Sequence, residues 1–215
     1  MAALILGISG SPVVENNTDR AVREILERTG MEYEFVKLSN LHLEPCRACL
    51  KCSEDNSCTI YDNGRVLAQR FAAARGFVIG GYSSYGSLDS RTKMFMERMF
   101  CLSHVRSKNR GKAGVCVITS EAGGDETDML QRQFGTWMKA EQMVNLGSLI
   151  VPGDTACIRC GHSNQCASLE LGEQLRRAPA TMSLQDMHLE PTIMTSAADL
   201  AIKLREAVEA GLTIA

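Results

Sequence analysis

Short apolar runs alternate with amphipathic stretches along most of the chain. The run over 3–8, bounded by Gly7 and Gly10, has the length and unbroken hydrophobicity of a strand buried on both faces. From about Thr18, the residues Ala21, Val22, Ile25 and Leu26 fall on one face of a helix that Gly30 ends. Further strands are predicted over 31–38, 77–80, 115–119 and 146–151. A helix is predicted from about Asp62 with Val66, Leu67 and Phe71 inward, and another, capped by Asp89 or Ser90, bears Met94, Phe95, Met99 and Phe100. Met129, Leu130, Phe134, Trp137 and Met138 line the next, and a last helix over 196–211 presents Leu200, Ala201, Leu204 and Val208. Five strands alternating with helices imply a single α/β domain over 1–215, a doubly wound five-stranded parallel sheet covered on both faces. Two segments break the alternation. A cysteine-rich loop over 44–60 follows the second strand. The region 152–195 is far longer than the roughly 12–15 residues usual for a structureless loop, and a short helix is predicted within it at 168–177.

Composition changes this picture in one respect. Hydrophobic residues at 45% and charged residues at 22% are those of a globular protein, and a formal net charge of −2 leaves no basic footprint for nucleic acid or an anionic membrane surface. No apolar run is long enough for a membrane span or a signal peptide, so a cytoplasmic protein is expected. Nine cysteines, however, are unusual, and in a reducing compartment they argue for metal binding or redox chemistry over structural disulfides. Cys101 and Cys116 lie in apolar segments and read as core residues. The other seven form two tight groups.

Three loops at the carboxyl ends of the predicted strands have ligand-like chemistry, and in a sheet of this kind ligands bind there, at the switch point between strands one and three. The first, residues 7–18, combines small residues with the hydroxyl and amide groups of Ser9, Ser11, Asn17 and Thr18 ahead of a helix N-terminus, which favours an anion. It is neither a Walker A loop nor a Gly-x-Gly-x-x-Gly fingerprint, and a plain strand–helix turn with a capping Asn or Thr has the same composition. The second carries Tyr82, Ser83, Ser84, Tyr85 and Gly86; the third carries Ser120, Glu121, Gly123 and Gly124. The order Gly10-Ser11-Pro12…Asn17-Thr18, then the Tyr-bearing loop with Lys93-x-Phe95-x-x-Arg98, then Gly123-Gly124-x-Glu126-Thr127 resembles the flavodoxin-like NADPH-dependent FMN reductase superfamily. That resemblance implies that Ser9, Ser11, Asn17 and Thr18 hold the FMN phosphate. It also implies that Tyr82–Gly86 and Ser120–Gly124 approach the ring system and ribityl chain. The chain departs from the family pattern at Val13, often an arginine, and at Tyr82, usually a proline.

Cys46, Cys49, Cys52 and Cys58 are spaced Cys-x2-Cys-x2-Cys-x5-Cys. Two-residue gaps let a short coil turn successive thiolates toward one centre, and four thiolates satisfy either a tetrahedral zinc ion or the irons of a cubane. Zinc ribbons bring two Cys-x2-Cys pairs from separate knuckles; three evenly spaced thiols in a row suit a [4Fe–4S] cluster better. Placed after strand two of an FMN-type sheet, the motif resembles the iron–sulfur flavoprotein branch of the superfamily. The resemblance implies a [4Fe–4S] cluster on these four cysteines and subunits assembled, as a homodimer or homotetramer, with clusters and flavins within electron-transfer range. Cys157, Cys160 and Cys166, with His162 nearby, offer a second metal, a second cluster, redox thiols or an unliganded loop. His42, His104 and His188 have no matching ligand partners and read as structural or surface residues.

The expected function is electron transfer from a one-electron donor such as ferredoxin, through the cluster to FMN and on to a small-molecule or protein acceptor. An NAD(P)H-dependent flavin or quinone reductase and a zinc-stabilised flavodoxin-like binding or sensor protein are the alternatives. No acid–base residue is assigned; Glu121 and Asp125 read as solvated loop carboxylates.

Overall fold

The computed structural model describes residues 5–104, 107–120, 124–153 and 190–211. In chain order the main elements are β1 (Ile5–Ser9), α1 (Asn17–Arg28), β2 (Tyr33–Lys37), α2 (Asn63–Ala73), β3 (Gly76–Ser84), β4 (Ser87–Leu88), α3 (Ser90–Met99), β5 (Ala113–Ser120), α4 (Asp125–Ala140), β6 (Val144–Pro152) and α5 (Pro191–Glu209). The strands run in the order β2-β1-β3-β5-β6, with every neighbouring pair on that path parallel. This is the flavodoxin-like order, whose switch point lies between β1 and β3. The two-residue β4 is the exception; it pairs antiparallel with the end of β3.

Period-2 side-chain alternation explains why the strands read as unbroken apolar runs. Along β5, Val115 and Val117 enter the core shared with α1 and α5, whereas Cys116 and Ile118 enter the core shared with α2, α3 and α4. β3 divides likewise, Val78 to the first core and Phe77 and Ile79 to the second. Cys101 and Cys116 are buried. The second core is aromatic: Phe71 lies 5.1 Å from Phe77 and 5.5 Å from Phe95 between ring centroids, and Trp137 closes the group. On the opposite face α1 seats closely because Gly7 and Gly80 have no side chain. A Cβ at Gly7 would stand 2.3 Å from Leu26 Cδ1, and one at Gly80 2.7 Å from Thr18 and Val22.

Several boundaries differ from expectation. β3 extends to Ser84, well past the predicted 77–80, because Gly81 and Tyr82 continue the ladder opposite Ile118 and Thr119. The chain then reverses through Tyr85 and Gly86, both at positive φ (53° and 70°), the combination a tight two-residue hairpin requires. α5 begins at Pro191 rather than Ser196, with proline in the first turn, where its missing N–H costs nothing. Val66, Phe100 and Met129, expected on inward faces, are exposed. The predicted helix at 168–177 lies outside the described residues. Among the described residues no helix is long and apolar enough to cross a membrane.

Phe71→Ala should lower the unfolding free energy by about 3–5 kcal/mol, the usual cost of truncating a buried phenylalanine, read as a fall in the urea midpoint at unchanged slope.

Candidate functional site

The end of β1 is organised from within. Asn16 caps α1 by accepting from the Asp19 amide at 3.1 Å. Asp19 is buried and receives the Lys37 ammonium at 2.6 and 2.8 Å and the Ser9 hydroxyl at 2.5 Å. Lys37 also donates to the Val13 carbonyl at 2.7 Å, so one ammonium ties the C-terminal end of β2 to the loop and to α1. The Thr18 hydroxyl meets that of Thr119 at 2.7 Å, Asn17 donates to the Pro152 carbonyl at 2.9 Å, and Ser11 bonds within its own turn, accepting from the Val13 amide. The four residues expected to hold a phosphate are thus brought together at one strand end, Ser11 bonded within its own turn and Ser9, Thr18 and Asn17 bonded to α1, β5 and β6. Asp19 and Lys37 were not singled out from sequence. An acid three residues past a capping Asn and a lysine closing a strand are ordinary singly, and only the fold brings them together.

A second carboxylate, also unforeseen as more than a cap, joins the next loop to the first. Asp89 caps α3 through the Arg91 and Thr92 amides, takes the Thr92 hydroxyl at 2.7 Å, and accepts from the Tyr82 amide at 3.2 Å. The Gly10 amide donates to the Gly80 carbonyl at 2.9 Å, and a Cβ on Gly10 would stand 2.0 Å from Thr92 Oγ1. The loops after β1 and β3 are therefore in direct contact. Tyr82 is half-buried, its phenol pushed above its ordinary value by burial and then by the Asp89 charge. Ser83 and Ser84 lie in the last turn of β3, while Tyr85 and Gly86 form the exposed hairpin tip. In the third loop, Ser120 donates to Glu126 at 2.6 Å. Gly124, at φ 56° and ψ −132°, adopts a backbone open only to glycine and starts α4. Glu121 and Gly123 lie outside the described residues, as do Cys157, Cys160, His162 and Cys166.

The cysteine loop packs beside α3. Cys46, Cys49, Cys52 and Cys58 line one small pocket, together with Arg98 and Cys101. Ala48 and Leu50 take the left-handed conformation, at φ 49° and 56°, and the Ala48 amide points back at Cys46 Sγ at 3.4 Å. Left-handed residues without glycine cost of order 1 kcal/mol each, a strain characteristic of functional loops. Five soft thiols, the four of the motif and Cys101, and no carboxylate oxygen line the pocket, a donor set that fits iron–sulfur or zinc and excludes hard cations. Among the described residues no three His, Cys, Asp or Glu side chains converge at the spacing of a bound ion. The fit therefore rests on donor chemistry and loop shape. The Lys51 amide lowers the Cys49 thiol, whereas burial raises Cys52 and pushes Cys101 up to about 12, leaving Cys101 a neutral core thiol. His104, which sequence placed without a partner, lies 3.2 Å from Cys52 Sγ through Nε2, its ring set edge-on to Phe100. A separate groove of about 690 Å³ between α3 and α4 has Cys46 at its rim, with Lys93, Met96 and Trp137 along its walls.

Arg98 ends this site. It is 2% exposed, and its guanidinium forks onto Asp62 at 2.5 and 2.8 Å. Burial raises the Asp62 carboxyl, but the hydrogen bond and charge of Arg98, with the Glu44 and Arg65 amides, outweigh it and pull the group down to about 2.

Residues 3–154 match the NADPH-dependent FMN reductase family. An iron–sulfur flavoprotein of Methanocaldococcus jannaschii is 30% identical over 210 residues, 95% of this chain and 97% of that one. An iron–sulfur flavoprotein of Methanosarcina thermophila is 28% identical over 148 residues, covering 66% and 76%. Among solved structures, the Trp repressor binding protein of Bacillus subtilis superposes with a TM-score of 0.61 at 13% identity, covering 91% of this chain and 99% of that one, a likeness of fold. A flavodoxin-type sheet with these loops defines a flavin-based oxidoreductase. The chain belongs to the NADPH-dependent FMN reductase family, in its iron–sulfur flavoprotein branch.

Because the folded carboxyl of Asp62 lies near 2 and an unfolded one near 3.9, its contribution of about 2 kcal/mol is complete above about pH 4 and lost as pH falls through 2. Asp62→Asn should remove that acid-limb slope in urea unfolding measured between pH 2 and 5. At neutral pH it should cost about 3–5 kcal/mol by leaving Arg98 buried without a counter-charge.

Proposed function

We propose that this chain is an electron-transfer flavoprotein, binding FMN at the β1–β3 switch point and a [4Fe–4S] cluster on Cys46, Cys49, Cys52 and Cys58. In this reading it accepts single electrons from a ferredoxin-like donor and serves a small-molecule or protein acceptor in the cytoplasm. The observation that carries the reading is a pocket lined by all four motif thiols and free of carboxylates, built onto a flavodoxin-type sheet. When bound, a cubane supplies one-electron steps and a flavin stores two electrons, which together couple the two kinds of carrier. The chain's own part is placement. Ser9, Ser11, Asn17 and Thr18 with the N-terminus of α1 receive the flavin phosphate, and the loops at Tyr82–Gly86 and 120–124 border the ring. The names of the archaeal relatives support the pairing of iron–sulfur and flavin.

The phosphate loop packs on the N-terminal end of α3 and Cys58 on its C-terminal end, and ten helical residues span ~15 Å. That separation favours an assembly, a homodimer or homotetramer, in which the thiols of one copy face the flavin edge of another. A second reading, an NAD(P)H-dependent FMN or quinone reductase, is favoured by the family description.

Anaerobically purified protein should show iron, acid-labile sulfide and FMN in about 4:4:1 ratio per chain, with a cluster EPR signal on reduction. Bleaching of the flavin by reduced ferredoxin alone supports the carrier, and rapid bleaching by NAD(P)H supports the reductase. A colourless preparation lacking iron and flavin defeats both. Cys46→Ala should abolish the cluster spectrum while leaving FMN bound.

A further inference from the structure

Arg98 is the largest fully buried side chain in the described protein, and the reaction as read above has no use for its charge. Its surroundings are specific. Nη1 donates to the Glu44 carbonyl at 2.8 Å, just before the first cysteine, and to Asp62 Oδ2. Nη2 donates to Asp62 Oδ1 and to Cys58 Sγ at 3.4 Å, the last cysteine. Asp62 in turn takes the Glu44 amide at 2.7 Å. Both ends of the cysteine loop are therefore fastened to one guanidinium–carboxylate pair. Gly64, in the first turn of α2, makes the room: a Cβ there would stand 2.8 Å from Nη1 and 2.9 Å from Cζ of Arg98.

We propose that Arg98 is a positioning residue for the cluster, holding Cys46–Cys58 in ligating shape before metal binds and donating an N–H to the Cys58 sulfur that raises the potential of the bound centre; this rests on the cluster reading above. Two physical arguments support it. A buried guanidinium with its charge matched by Asp62 keeps its fork direction fixed, so the N–H aimed at Cys58 is preorganised. A hydrogen bond to a ligand sulfur withdraws charge and favours the reduced cluster.

Two substitutions in the anaerobically purified full chain test the proposal. Arg98→Lys keeps the charge and loses the fork. Gly64→Ala puts a methyl group where the guanidinium lies while leaving Arg98 and every thiol intact, and by helix propensity alone it should stabilise α2. Both variants are expected to lower the cluster midpoint potential in an EPR-monitored titration and to reduce iron content, with the FMN ratio unchanged. In iron-chelated protein both should speed tryptic cleavage after Arg47 and Lys51 by about tenfold, since cleavage follows the open population of the loop. Wild-type potential, iron content and cleavage rate in both variants, with unchanged circular dichroism, would overturn the proposal. If Arg98→Lys does not fold, Gly64→Ala decides it. If wild-type protein holds no iron, the functional reading and the claim about potential fail, while the cleavage comparison still decides whether Arg98 holds the loop.

Discussion

A guanidinium placed where water does not reach must find its partners within the protein. The face that carries the thiols is arranged around that demand, pairing Nη1 and Nη2 and leaving only Nε without an acceptor among the described residues. Desolvating an unpaired charge costs more than most domains have in net stability, so Arg98 persists only because Asp62 faces it and the Glu44 carbonyl takes a further N–H. Asp62 is also the N-cap of α2, so the residue that starts a helix is the residue that neutralises the charge. Meeting both needs with one carboxylate fixes where α2 begins relative to the end of α3. The aromatic group of Phe71, Phe95 and Trp137 packs the two helices in that relation. The cysteine loop, which has little regular structure of its own, takes its shape from this arrangement.

The opposite end of the site uses a buried pair differently. Asp19 and Lys37 cancel one another beneath the loop after β1, so they stiffen it without lending it net charge. In the proposed flavin site, attraction for the phosphate falls to the N-terminus of α1 and to the loop's own dipoles. The Thr18–Thr119 contact and the Asn17 bond to Pro152 extend the same stiffening across the sheet to β5 and β6. A rigid cradle of this kind bears on selectivity for ligand shape more than on raw affinity.

Elements whose burial follows a simple period were legible from residues alone. The five parallel strands, α1 and α4 came from apolar runs and helical spacing, and Asp62 and Asp89 were readable as starts of helices. Boundaries failed where glycine and hydroxyl residues occupy a strand: Gly80–Ser84 has the composition of a loop, yet the ladder to β5 continues through Gly81 and Tyr82. Val66 and Met129 have helical spacing and still face outward, because periodicity marks a stripe and not its edges. Of the site, the thiols were legible because their spacing is itself the signal. The roles of Arg98, Lys37 and His104 were not, since each acts on a partner far away in sequence, and Arg98 stood out only as a position of the family motif.

The sheet separates two apolar cores, and the thiol loop leans on only one of them. Leu41, Cys52 and Cys58 pack against the core of α2, α3 and α4, whereas that of α1 and α5 contains no residue of the loop. Oxidation at the sulfurs is therefore separated by a layer of backbone from the apolar core that carries α1 and α5. The loop after β1 nevertheless touches both halves, α1 through Asp19 and α3 through Gly10 and Thr92, so in the proposed function α3 is the element through which a change at the thiols would reach the flavin phosphate.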